Sequence, residues 1–119
     1  MALKNSLMKT WGVGIFDNDV ALDVRKEFEA ALAKGLSGYM ASDNVIAKYG
    51  QTKDMEVYLA LAELQIEHNI IQPKVKKKAL TLIISGDAAE DWEDAGTAVF
   101  ENRKAVLQEL RLRLLGMPT

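Results

Sequence analysis

The chain contains no cysteine, only two prolines and a single histidine, His68, among its 119 residues. The missing cysteine excludes disulfides, thiolate metal sites and cysteine nucleophiles. One histidine without cysteine is too little for an ordinary zinc site. No Gly-x-Ser-x-Gly turn is present to supply the serine of a hydrolase triad. Because His68 falls at the last turn of a predicted helix, we expect it to cover the end of the core.

The sequence also lacks a strong net charge and a long hydrophobic run. Its 15 basic and 17 acidic residues give a formal charge of −2, which offers no attraction to nucleic acid or to an anionic membrane. No window approaches the roughly 18 apolar residues of a membrane span, and no secretory signal is recognisable. We therefore expect one cytoplasmic domain over residues 1–119, with no cofactor, no metal, and no nucleic-acid or membrane partner.

Apolar residues recur at the 3.6-residue helical period along most of the chain. The predicted helices cover residues 18–34, 37–48, 53–68, 73–85 and 97–115, and a short acidic connector carrying Trp92 precedes the last. The second pattern is weak, because Ser42, Asp43 and Asn44 interrupt it, so that helix is either short or broken. The fold class is all-α, a compact bundle of about five helices. Residues 1–17 form an N-terminal arm and hook, and residues 18–116 form the helices.

The most distinctive segment is Trp11-Gly-Val-Gly-Ile-Phe-Asp-Asn-Asp19. Its aromatic side chains, Trp11 and Phe16, are predicted to be largely buried against the first helix. Gly12 or Gly14 is predicted to adopt a positive φ, which glycine tolerates without the penalty of a Cβ atom. We interpret the segment as a structural hook that clamps aromatic side chains onto the core.

Three acidic residues, Asp17, Asp19 and Asp23, accompany the hook. Their spacing resembles the opening of a calcium loop, but the glycine and the distal glutamate of such a loop are missing. Capping of the first helix and attraction to its N-terminal dipole explain the same residues. The sequence favours capping and leaves these acids as a candidate ligand surface.

The one basic run comprises Lys74, Lys76, Lys77 and Lys78 in the first two turns of the fourth predicted helix. The helix dipole disfavours cations there, so something should offset the cost. Either the glutamates of the third helix (Glu56, Glu63 and Glu67) pair with the lysines, or Lys74, Lys77 and Lys78 are exposed to a partner, with Lys76 nearest the apolar boundary.

Arg103 falls among the apolar positions of the last helix. A buried arginine needs a carboxylate partner, which we expect from Asp23, Glu27 or the acids of the 87–94 connector.

The pattern Trp11-Gly-x-Gly-x-Phe-x-Asn-Asp-x-Ala21, followed by Asp23 and Glu27-Phe28, resembles the opening signature of a family of small bacterial proteins of unknown function. The chain is similar to that family again at Gly35-Leu-Ser37, in the third helix and at Trp92. It departs from the family in a longer N-terminal lead and at Gly38-Tyr-Met40. The resemblance implies a bacterial origin and a compact helical fold but no activity. It carries over the acids at 17, 19 and 23 as candidate site residues.

Taken together, the sequence favours a non-enzymatic protein that acts by binding another protein, with immunity or antitoxin proteins as the analogy. A homo-oligomer is compatible with it. The alternative is a small enzyme, or a binder of a ligand or divalent cation, that uses Asp17, Asp19 and Asp23. Convergence of these three carboxylates on one cleft would favour the alternative.

Overall fold

The computed structural model describes residues 12–49, 55–90 and 92–117. The helices are α1 Asp19–Ala33, α2 Gly38–Tyr49, α3 Glu56–Glu67, α4 Pro73–Ile84, α5 Asp87–Glu90 and α6 Thr97–Leu115, with a 3₁₀ turn at Glu93–Ala95. The all-α prediction is confirmed. The described residues contain six helices, where about five were predicted, because the acidic connector includes the single turn α5.

The helix ends follow local sequence signals. Asn18 caps α1 by accepting a hydrogen bond from the Ala21 N–H at 2.8 Å, and Pro73 occupies the first turn of α4, where its missing N–H costs nothing. Gly86 follows α4 with a φ of +87°. These positions agree with the predicted boundaries to within about two residues.

The predicted weakness of α2 does not produce a break. Ser42 is fully buried, and its hydroxyl donates to the Gly38 carbonyl one turn earlier at 2.8 Å. This bond satisfies the hydroxyl without interrupting the helix. α2 is therefore continuous over twelve residues.

α3 is the central helix, as its broad apolar surface predicted. It packs against α1, α2, α4 and α6. The run from Leu59 to Ala62 is completely buried, and two of its four residues are alanines, whose small side chains let neighbouring backbones approach. Among the described residues, no helix has both the length and the apolar character required to cross a bilayer.

The inner face of α4 buries Val75, Ala79, Leu82 and Ile83. Its N-terminal half lies beside the end of α6, where the Lys76 ammonium donates to the Met117 carbonyl at 2.9 Å. The opposite face of α4 remains open, and Ile84 keeps 65% of its surface exposed. The fold thus leaves one helix face uncovered by the described residues.

Candidate functional site

The hook is held together by the carboxylate of Asp17. This carboxylate accepts a hydrogen bond from the Gly14 N–H at 3.0 Å, and the Asp17 N–H donates to the Gly14 carbonyl at 3.2 Å. A Cβ atom on Gly14 would lie 2.9 Å from the Asp17 Oδ2, and one on Gly12 would clash with the same atom. A side chain at either position would therefore force the Asp17 carboxylate to shift.

One prediction about the hook is corrected. Neither Gly12 nor Gly14 is among the described glycines with a positive φ, which are Gly35, Gly86 and Gly96. Phe16 is partly buried against the core, as predicted, and its ring packs under the guanidinium of Arg25 in α1, 4.0 Å from the ring centroid. Among the described residues of the hook, Ile15 is the buried apolar side chain, and Trp11 lies outside the described residues.

The hook is fastened to the helices by Arg103, which is completely buried. Its guanidinium binds both carboxylate oxygens of Glu56, at 2.8 and 3.1 Å, and donates to the Val13 carbonyl at 3.0 Å. It also lies 4.8 Å from the ring centroid of Trp92. Asn18 completes the cluster, since its amide lies 3.4 Å from Glu56 Oε2.

The prediction that Arg103 needs a carboxylate was correct, but the predicted partners were wrong. Glu56 supplies the carboxylate, because the packing of α3 against α6 places it opposite Arg103. Among the described acids, the expected acceptors in Asp23, Glu27 and the connector do not bind Arg103. Only the crossing of two helices distant in sequence could select Glu56.

The predicted pairing of the α3 glutamates with the α4 lysines was also wrong. Each glutamate binds an arginine instead: Glu56 with Arg103, Glu63 with Arg113 at 2.7 Å, and Glu67 with Arg25 at 2.8 Å. Arginine suits these positions because its planar fork binds a carboxylate through several hydrogen bonds. Internal pairing with α3 therefore does not account for the lysines of α4.

The candidate acids of the hook do not form a shared cleft. Asp17 binds the Gly14 N–H, Asp19 accepts from the Val20 N–H at 3.0 Å, and Asp23 is exposed on α1. In the described part of the chain, no three histidine or acidic side chains are grouped closely enough to hold a metal ion. The cap of α1 is Asn18, with Asp19 in the first turn, whereas Asp17 binds a backbone N–H of the turn that precedes the helix.

His68 lies at the C-terminal end of α3. Its ring centroid is 5.2 Å from that of Phe28, with the two rings tilted by 48°. Phe28 is fully buried and His68 is exposed, so the imidazole covers the end of the core as predicted.

A buried amide cluster was not anticipated from the sequence. The Gln65 side chain donates to the Ser42 hydroxyl at 2.9 Å and to the Gln72 side-chain oxygen at 3.0 Å, and its own oxygen accepts from the Gln72 N–H at 2.9 Å. The cluster joins α2 and α3 to the residue that precedes α4. Gln65 within the apolar pattern of α3 was the one available signal.

The lysines of α4 occupy the positions predicted for them. Lys74, Lys77 and Lys78 are exposed, and Lys76 is half-buried. Lys74 binds Asp43 at 2.8 Å, and this hydrogen bond is the main reason that the pKa of Asp43 lies below its ordinary value. Both partners are more than half exposed, so the pair contributes little to stability.

The open face of α4 lines a groove of about 580 Å³. Its lining residues are Pro73, Lys76, Lys77, Leu80, Thr81, Ile84 and Ser85. The surface is apolar at Leu80 and Ile84 and cationic at the N-terminal end of the helix.

Comparison of the chain with protein-family models, with curated proteins and with solved structures found no match.

Proposed function

We propose that this protein is non-enzymatic and acts by protein–protein binding through the outer face of α4, defined by Lys74, Lys77, Leu80 and Ile84. The observation that carries the proposal is the apolar groove of about 580 Å³ on that face, with lysines at one end. We place the protein in the cytoplasm of a bacterium, in a role of the immunity or antitoxin kind.

The cations of the molecule differ in whether the fold uses them. Arg25, Arg103 and Arg113 are each held by a glutamate of α3 and serve the fold. Lys77, in contrast, has no ion-pair partner within residues 12–49, 55–90 and 92–117. A cation that the fold does not use, beside exposed apolar side chains, is available to a partner.

The geometry favours this function over chemistry at the acidic hook. Asp17 and Asp19 accept hydrogen bonds from backbone N–H groups, and His68 packs on Phe28. These contacts assign the side chains to structural roles. The outer face of α4 therefore supports binding better than the hook supports catalysis.

Capture of proteins from a bacterial lysate on the immobilised full chain tests the proposal. We expect Lys74→Glu combined with Lys77→Glu to lose the captured protein, as high salt should for the wild type, because salt screens exposed charges. The matched control, Lys26→Glu with Lys34→Glu, makes the same charge change on exposed positions of α1 and just after it, and it should capture normally. Equal capture by all three proteins would contradict the proposal.

A further inference from the structure

The outer face of α4 changes character from one end to the other. It begins with Lys74 and Lys77, continues through the apolar Leu80 and Ile84, and is followed by the acidic α5, which begins at Asp87. In the described part of the chain, neither Asp87 nor Lys77 has an ion-pair partner. A surface that is positive at one end, apolar in the middle and negative at the other complements itself when rotated by half a turn.

We propose that the partner of the outer face of α4 is a second copy of this chain, bound across a twofold axis with the two α4 helices antiparallel. The inference rests on the proposed function, because it uses the same face. With the axis beside Leu80 and Thr81, the N-terminal lysines of one α4 face the C-terminal end of the other, which Asp87 follows by three residues. The apolar side chains meet at the centre.

The helix dipoles favour the same arrangement. Lys74 and Lys77 lie in the first two turns of α4, where the positive end of their own helix repels them. An antiparallel second copy brings the negative end of its α4 beside these lysines. The dimer therefore compensates the placement of Lys77, which has no ion-pair partner among the described residues, whereas Lys74 already binds Asp43 of α2.

An acidic segment of another protein would match only part of this surface. It would neutralise the lysines and leave Asp87 and Glu90, both exposed, without a counterpart. A second copy matches both ends at once, through the isologous contact that is commonest among protein dimers.

The size of the face predicts a weak dimer. α4 has twelve residues and is therefore about 18 Å long. One pair of such helices buries less than the roughly 1,600 Å² of a standard interface. We expect a dissociation constant on the order of 100 µM.

Sedimentation equilibrium of the full chain from about 10 µM to about 1 mM, a range chosen around that constant, tests the inference. The wild-type mass should rise from 13.2 kDa toward twice that value. Lys74→Glu/Lys77→Glu should remain monomeric, because its glutamates face Asp87 of the second copy. Asp87→Lys/Glu90→Lys should remain monomeric for the converse reason. Circular dichroism checks that each variant is folded.

Mixing the two monomeric variants provides a sharper test. Their heterodimer has opposite charges at both ends, so the mixture should associate at least about tenfold more tightly than either variant alone. The control mixture combines Asp87→Lys/Glu90→Lys with Lys26→Glu/Lys34→Glu. It has the same net charges, but its lysines face lysines at one end of the interface, and it should form no heterodimer.

Disulfide cross-linking tests whether the twofold axis passes beside Thr81. The chain lacks cysteine, so Thr81→Cys introduces a single thiol per copy in the groove. With oxidised glutathione as the oxidant, this variant should form a disulfide-linked dimer. Ala47→Cys, an exposed position on α2, is the control and should not cross-link at the same protein concentration.

The outcomes separate this inference from the proposed function. The second copy is overturned as partner if the wild-type mass stays at 13.2 kDa and the mixture of the two charge-reversed variants also stays monomeric. If that monomer still captures another protein through Lys74 and Lys77, the proposed function stands. If it captures nothing, both fail.

Discussion

At the residue scale, the most consequential side chain is Arg103. It is completely buried and joins three parts of the molecule: the hook through the Val13 carbonyl, α3 through Glu56, and the segment before α6 through the ring of Trp92. A buried ion pair adds little stability over an apolar pair of the same volume, but removing one partner leaves the other charged and unsolvated.

We expect Arg103→Met to lower the free energy of unfolding by about 3–5 kcal/mol, because Glu56 is left buried without its cation. The control Arg113→Met breaks the pair with Glu63, whose side chains are 38% and 15% exposed, and should cost less than Arg103→Met because both partners keep contact with solvent. Urea denaturation measures both. Equal effects would show that the burial of the Arg103 pair does not govern its importance.

Gly14 tests whether space or backbone conformation requires the glycines of the hook. A Cβ atom there would lie 2.9 Å from Asp17 Oδ2, so we expect Gly14→Ala to cost about 1–3 kcal/mol in unfolding free energy. Most of this cost should disappear when Asp17 is already alanine.

Gly35, with a φ of +90° and open space around it, is the control for this cycle. Gly35→Ala should destabilise through backbone strain alone, and the cost should be the same with or without Asp17. A Gly14 cost that is independent of Asp17 would refute the steric explanation.

The acids of the hook lead to a prediction about calcium. Asp17 and Asp19 already bind backbone N–H groups, and calcium requires six to eight oxygen ligands. Adding calcium to about 1 mM should leave the melting temperature unchanged, since a ligand raises it only by binding the native state. A rise that Asp19→Asn abolishes would instead establish a cation site.

At the element scale, α4 has one face that serves the fold and one that does not. Its inner face is apolar and buried, while Lys74 and Lys77 are exposed at an end where the dipole disfavours them. A face shaped by stability alone would carry acids at that end.

We therefore expect Lys74→Glu/Lys77→Glu to leave the melting temperature of the dilute protein within about 2 °C of the wild type, or to raise it, because acids suit a helix N-terminus. The lost pair with Asp43 is exposed and weak. Differential scanning fluorimetry at about 5 µM, well below the expected dimer constant, measures the change. Unfolding of the variant would mean that these lysines serve the fold.

At the scale of the whole molecule, α3 is the common support. It contacts four other helices, and its glutamates bind arginines of α1 and α6. The hook is tied to α3 indirectly, through Arg103 and Asn18. Loss of α3 packing should therefore release the hook and the helices together.

Leu61 tests this cooperativity, because it is completely buried in α3. Leu61→Ala should cost about 2–5 kcal/mol in unfolding free energy. Its urea transitions by far-UV circular dichroism and by tryptophan fluorescence should still coincide, as for a two-state domain. Separate transitions would indicate that the hook and the Trp92 region unfold independently of α3.

The sequence by itself determined the helices of this protein. Apolar periodicity, the cap at Asn18, Pro73 at the start of α4 and Gly86 after it act over a few residues, so they can be recognised without the fold. The same local logic predicted the central position of α3 and the exposure of Lys77.

Only the tertiary structure decided which charged residues meet. Glu56 binds Arg103 across 47 positions of sequence, and the other α3 glutamates bind Arg113 and Arg25 rather than the lysines of α4. Such pairings depend on the angles at which helices cross and on the reach of long side chains. Helical periodicity identifies the face on which a charge lies, but it does not determine which distant face packs against it.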